Sequence, residues 1–123
     1  MKKLVLLCCA LQCIFFTSCW HHHHDISITY RDNNDSYSMD AWFSSDKTRQ
    51  AERYMNAMLG RDNNISFYKH YTNTKYTLED GSKFYMKKWP GHILIKINRD
   101  ESSNEAYYTI KDMCVGMKEV VLK

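Results

Sequence analysis

Past residue 19 the chain holds a single cysteine, Cys114, and over its whole length it has one proline and four glycines. One thiol closes no disulfide within a folded body, so this is not a small domain stapled by cross-links. The scarcity of Pro and Gly excludes a collagen-like or linker-dominated chain. No apolar run reaches the roughly 20 residues that a membrane-spanning helix needs. A large excess of one charge is missing too. The formal net charge is +3, and two of the positives, Lys2 and Lys3, sit at the N-terminus. About +1 remains for the rest, too little for a general nucleic-acid binder, so no nucleic-acid partner is expected. The motifs of common catalytic chemistries are also absent. There is no G-x-S-x-G, no H-E-x-x-H, no Gly-rich phosphate loop, and no C-x-x-C after residue 19. The expectation is a non-enzyme without a cofactor.

What is present begins with a targeting pattern. Met1-Lys2-Lys3 is a short basic segment, and residues 4–16 (LVLLCCALQCIFF) form an apolar run of signal-peptide length. Thr17 and Ser18 are small, and Cys19 follows. Phe16-Thr17-Ser18-Cys19 resembles the lipobox of bacterial lipoproteins, with Phe16 where an aliphatic residue is usual. The resemblance implies a signal peptide over 1–18, lipidation of Cys19, and anchorage in a bilayer of the bacterial cell envelope, facing the periplasm or the outside. Several acyl chains hold a domain at a surface far better than one, at about 0.8 kcal/mol per buried CH₂. The alternative is ordinary cleavage, which would release a secreted soluble protein. Residues 19–25 then read as a lipidated tether, and 26–123 as a single domain of one-domain length.

The tether carries His21, His22, His23 and His24 in a row. Neutral imidazoles are ligands for Zn, Cu or Ni, so these four are the candidate metal ligands, and a metal-binding lipoprotein is the second functional class. Consecutive ligands on a tether impose no fixed geometry, and a solvated spacer is the simpler reading.

Beyond Asp25, apolar residues alternate in two segments, Ile26–Tyr30 and Tyr37–Phe43, as half-buried strands do. Ser44 or Ser45 caps a predicted helix with Ala51, Tyr54, Met55, Met58 and Leu59 on one face, ended by Gly60. Ile65, Phe67 and Tyr71 predict another strand. Strands at 75–78 and 83–88 meet across Glu79-Asp80-Gly81-Ser82, and Trp89-Pro90-Gly91 leads into His92–Asn98. A last helix follows, with Ser102 and Glu105 at capping-box spacing and Tyr107, Ile110, Met113, Cys114, Met117 and Val121 as its apolar stripe. Gly116 is expected to weaken this helix. The order β-β-α-β-β-β-β-α predicts an α+β two-layer sandwich, a mostly antiparallel sheet with two helices on one face. Its core is expected to hold Phe43, Met55, Leu59, Phe67, Leu78, Phe84, Met86, Ile93, Ile95, Ile97, Ile110, Met113 and Met117.

Such a sheet leaves one face uncovered. With the isoleucines of the His92 strand pointing inward, the outward set becomes Tyr68, His70, Lys75, Tyr85, Lys87, His92 and Lys96, with Trp89 nearby. Flat rings stack on sugars or on apolar groups of a partner, and Lys heads attract anions. The expected role is therefore a membrane-anchored binding or accessory module that takes an envelope protein or an acidic glycan. The bland account is an ordinary solvated sheet covered by cross-strand pairs. Cys114 lies on the apolar helix stripe and reads as an inert core thiol.

Overall fold

A computed structural model of the protein describes residues 26–123. The signal segment, Cys19 and the histidines at 21–24 lie outside the described residues. Five strands form one sheet: β1 (Ser27–Asp32), β2 (Ser36–Trp42), β3 (Thr72–Thr77), β4 (Lys83–Trp89) and β5 (His92–Asn98). The spatial order is β1-β2-β5-β4-β3, and every neighbouring pair is antiparallel. Helix α1 (Thr48–Met55) runs on through a π-helical turn (Asn56–Gly60) and a last helical turn (Arg61–Asn63). Helix α2 (Asn104–Leu122) closes the chain. Both helices cover the same sheet face, giving the α+β two-layer sandwich expected from the pattern.

Alternation explains the layering. Tyr37, Met39 and Ala41 of β2, Phe84 and Met86 of β4, and Ile93, Ile95 and Ile97 of β5 all point to the helices and are buried. They meet Ala51, Met55 and Leu59 from α1 and its extension, and Ile110, Met113, Cys114 and Met117 from α2. Burying each large apolar side chain stabilises the fold by roughly 1.5–3 kcal/mol. All thirteen expected core residues are buried.

Five local expectations are corrected. Residues 65–71 form no strand, so the order is β-β-α-β-β-β-α with five strands. Phe67 is buried there, but its N–H donates to the side-chain oxygen of Asn56 at 3.1 Å instead of to a strand. Gly60 does not end the helix. It is helical and buried, and a Cβ there would lie 2.5 Å from the carbonyl oxygen of Ile65, so close chain approach demands a glycine. The left-handed residue past the helix end is Asn64, with φ 55°. Neither Ser44 nor Ser45 makes a side-chain cap bond. The cap of α2 is one residue later than the spacing suggested: the Ser103 hydroxyl accepts from Ala106 N–H at 3.1 Å, while Ser102 donates to the carbonyl of Asn98. Ser103 also donates to Asp80 at 2.6 Å, which joins the β3–β4 hairpin to the start of α2 and holds the Asp80 carboxyl below its ordinary range. Finally, Gly116 strengthens the packing rather than weakening the helix. Its missing Cβ leaves room for the Tyr54 hydroxyl, which would lie 2.2 Å from that carbon.

The inner face carries one element that apolar patterning does not foresee. Lys88 is in phase with Phe84 and Met86 and is almost fully buried. Its ammonium donates to the Glu52 carboxylate at 2.6 Å and to the carbonyl of Lys69. Glu52 is buried as well, with Arg49 at 3.9 Å on its solvent side. Two desolvated charges are tolerated because each satisfies the other, and leaving one alone is costly. Lys88→Met is therefore expected to lower unfolding free energy by about 3–5 kcal/mol, whereas Glu52→Met with Lys88→Met recovers part of that loss. Urea unfolding of the two single variants and the double one measures it; additive losses would show that the two charges do not act as a pair.

Candidate binding face of the sheet

The face away from the helices is built by register. β5 lies at the centre, and its His92, Leu94 and Lys96 point outward between the outward residues of β2 and β4. His92 stands opposite Trp42 on one side and Trp89 on the other. The imidazole is covered by both indoles, with ring centroids 4.0 Å from Trp42 and 4.2 Å from Trp89. It is consequently buried, although it lies on the uncovered face. Its Nε2 is 2.6 Å from Asp40 Oδ1. The contact is a hydrogen bond in the tautomer that carries its proton on Nε2. The Nδ1 atom is buried and has no partner among the described residues.

The turn between β4 and β5 holds this rung in place. Pro90 sets φ for the first turn position, and Gly91 takes φ +82°, which a type II turn requires of its second. The Gly91 N–H donates to the Thr48 hydroxyl at 2.9 Å, and its carbonyl accepts from Phe43 N–H at 2.9 Å. The turn is thus tied to the start of α1 and to the end of β2. Trp42 stays half exposed and meets Trp89 edge-on at 5.7 Å. Lys87 places its ammonium 5.1 Å from the Trp89 ring centre, a cation–π contact.

Two rungs over, beyond that of Asp40, Leu94 and Lys87, the outward residues are Arg31, Ser38, Lys96, Tyr85 and Lys75 across all five strands. Lys75 pairs with Glu101, and the Tyr85 hydroxyl donates to Asn73 at 2.6 Å. Arg31 and Lys96 are exposed and have no hydrogen-bonding or ionic partner among the described residues. They line a trough of about 630 Å³ together with Thr29, Ser38, Asp40 and Leu94, among others. With Lys83, the outward positions of the sheet carry five Lys or Arg against a single acid, Asp40.

Of the residues expected on this face, the structure brings together Lys75, Tyr85, Lys87, Trp89, His92 and Lys96. It moves Tyr68 and His70 elsewhere. Both belong to the unpaired segment before β3 and lie beside α1, where Arg49 stacks on the Tyr68 ring at 4.5 Å. They line a separate groove of about 370 Å³ with Glu52 and Pro90. Sequence reasoning missed Trp42, Asp40 and Arg31. The alternation around Trp42 already marked it as outward, but only the pairing of β2 with β5 sets it against His92.

Cys114 is buried beneath this sheet, and burial pushes its thiol up to about 12, so it is held as the neutral, unreactive form. Among the described residues no group of three or more His, Cys, Asp or Glu is placed to hold a metal ion. No helix of the described residues is long and apolar enough to cross a membrane. No family model matches the chain, and no curated protein or solved structure is significantly similar to it.

The indole pair gives a direct check on this geometry. Trp42→Ala is expected to cost about 1 kcal/mol of stability and to remove the exciton signal of two coupled indoles from the far-ultraviolet circular dichroism spectrum. A variant spectrum that matches the wild type would mean that the two rings are not in contact in solution.

Proposed function

We propose that this chain is a bacterial envelope lipoprotein, anchored by acyl chains on Cys19, whose uncovered sheet face is a non-enzymatic binding surface. The observation that carries the binding part is the rung Trp42–His92–Trp89. Two indoles and an imidazole stack across three strands on the one face that no helix covers. Such cross-strand pairs also stabilise an ordinary sheet; what favours a binding role is that Trp42 stays half exposed in the rung. A rigid aromatic platform beside cationic side chains is what a binding surface uses, since rings offer large contact area at low entropic cost and lysines steer an anionic partner. The anchoring part rests on the likeness of Phe16-Thr17-Ser18-Cys19 to a lipobox. The lack of a catalytic motif and the buried, neutral thiol of Cys114 support a module that binds rather than transforms its partner.

Two measurements test the two parts separately. Cys19→Ser is expected to move the protein from the membrane fraction to the soluble fraction and to abolish incorporation of labelled fatty acid. A variant that stays with membranes, or a wild type that takes up no label, removes the anchor. Tyr85→Ala with Lys87→Ala is expected to abolish recovery of the partner when the native anchored protein is captured from membranes, at an unchanged melting temperature. Both residues are outward, so the core is untouched. Equal recovery by wild type and variant would remove the sheet face from the account.

A further inference from the structure

We infer that the trough on the uncovered face receives an acidic glycan, a sugar chain that bears carboxylate or sulfate groups. The inference rests on the reading of that face as a binding surface and names the chemistry that it selects. Charge is the first argument. The chain as a whole is only slightly basic, yet the outward positions gather five cations; Lys75 is neutralised by Glu101, the one outward acid, Asp40, is already committed to His92, and four cations are left over. The two cations at the trough, Arg31 and Lys96, have no partner among the described residues to neutralise them.

Spacing is the second argument. Arg31 and Lys96 sit on β1 and β5, which flank β2, so their Cα atoms are roughly 10 Å apart, two strand spacings. Lys87 lies one rung nearer the indoles, and Lys83 is further along β4. A single small anion is gripped by donors that converge on it, whereas a spread array suits charges repeated along a chain. Lining is the third argument. Thr29 and Ser38 offer hydroxyls that both donate and accept, as sugar hydroxyls do. Outside the trough but on the same face, Trp42 lies two residues along β2 from Asp40 and is half exposed, and an indole is a surface on which the C–H side of a sugar ring can lie. The concavity admits a chain.

The test uses the full-length mature protein in detergent and four probes: an oligogalacturonate, a neutral glucose oligomer of equal length, polyphosphate, and phosphatidylglycerol vesicles. The oligogalacturonate is expected to bind, to change tryptophan emission, and to weaken as salt is raised. Arg31→Gln with Lys96→Gln is expected to bind it at least roughly tenfold more weakly, the factor given by one lost charge-assisted hydrogen bond, at an unchanged melting temperature. The inference is overturned if the neutral oligomer binds equally well, if no oligosaccharide binds, or if polyphosphate or the vesicles bind as tightly as the uronate chain. If the uronate chain fails while native capture still depends on Tyr85 and Lys87, the glycan is wrong and the face takes a protein. If both fail, the binding surface itself is wrong.

Discussion

Strand β5 lies between β2 and β4 and is paired with both over its full length, so its register decides what each face of the sheet carries. Side chains alternate with a period of two, and a slip of one residue would exchange the faces. Ile93, Ile95 and Ile97 would then meet water, while His92 and Lys96 would meet the helices. Burial of the three isoleucines against α1 and α2 fixes the register from below. From above, the Pro90-Gly91 turn is pinned to Thr48 and Phe43. The aromatic rung is therefore a consequence of core packing, held in place without needing a partner of its own.

The buried pair of Glu52 and Lys88 works differently. It is the inner-face contact that joins α1 to β4, and it sits beneath the groove that holds Tyr68 and His70. A pair of charges in a dry interior adds little net stability, but shifting one element past the other would leave a buried charge unpaired, at a cost of about 3–5 kcal/mol. An apolar pair would tolerate sliding. In this protein the pair also fixes the approach to β3, because Lys88 reaches the carbonyl of Lys69 in the segment just before it.

How much of this was legible in the sequence depends on how local each cause is. Strand alternation, the Asp80-Gly81 hairpin and the apolar stripe of α2 are set by neighbours in the chain, and they were read correctly. Residues 65–71 show the limit of that reading. Alternation there reports that Phe67 is buried on one side, and it does not report a strand partner; the segment pairs with no strand among the described residues, and Phe67 N–H donates to Asn56 instead. Tyr68 and His70 left the expected site for the same reason. Lys88 was legible in principle, since it is in phase with Phe84 and Met86, but a lysine at an inward position has meaning only once Glu52 is known to face it. The glycines at 60 and 116 answer to tertiary contacts, with Ile65 and Tyr54 respectively, that no local rule can supply. The rung of Trp42, His92 and Trp89 needed the non-local pairing of β2 with β5.

The place of β1 in the sheet has a mechanical consequence. It is an edge strand with one neighbour, it buries little, and it is tied to the helix layer by the Tyr30 hydroxyl on the carbonyl of Cys114 at 3.1 Å and, at its far end, by the Asp32–Lys111 ion pair at 2.5 Å. Any load transmitted through the chain ahead of Ile26 enters at Ser27, opposite Trp42. Under such tension β1 would peel from β2 from that end, while the four remaining strands and both helices keep their packing. The first element to meet a pull from that side is thus the least buried strand of the sheet, and it starts beside the aromatic rung.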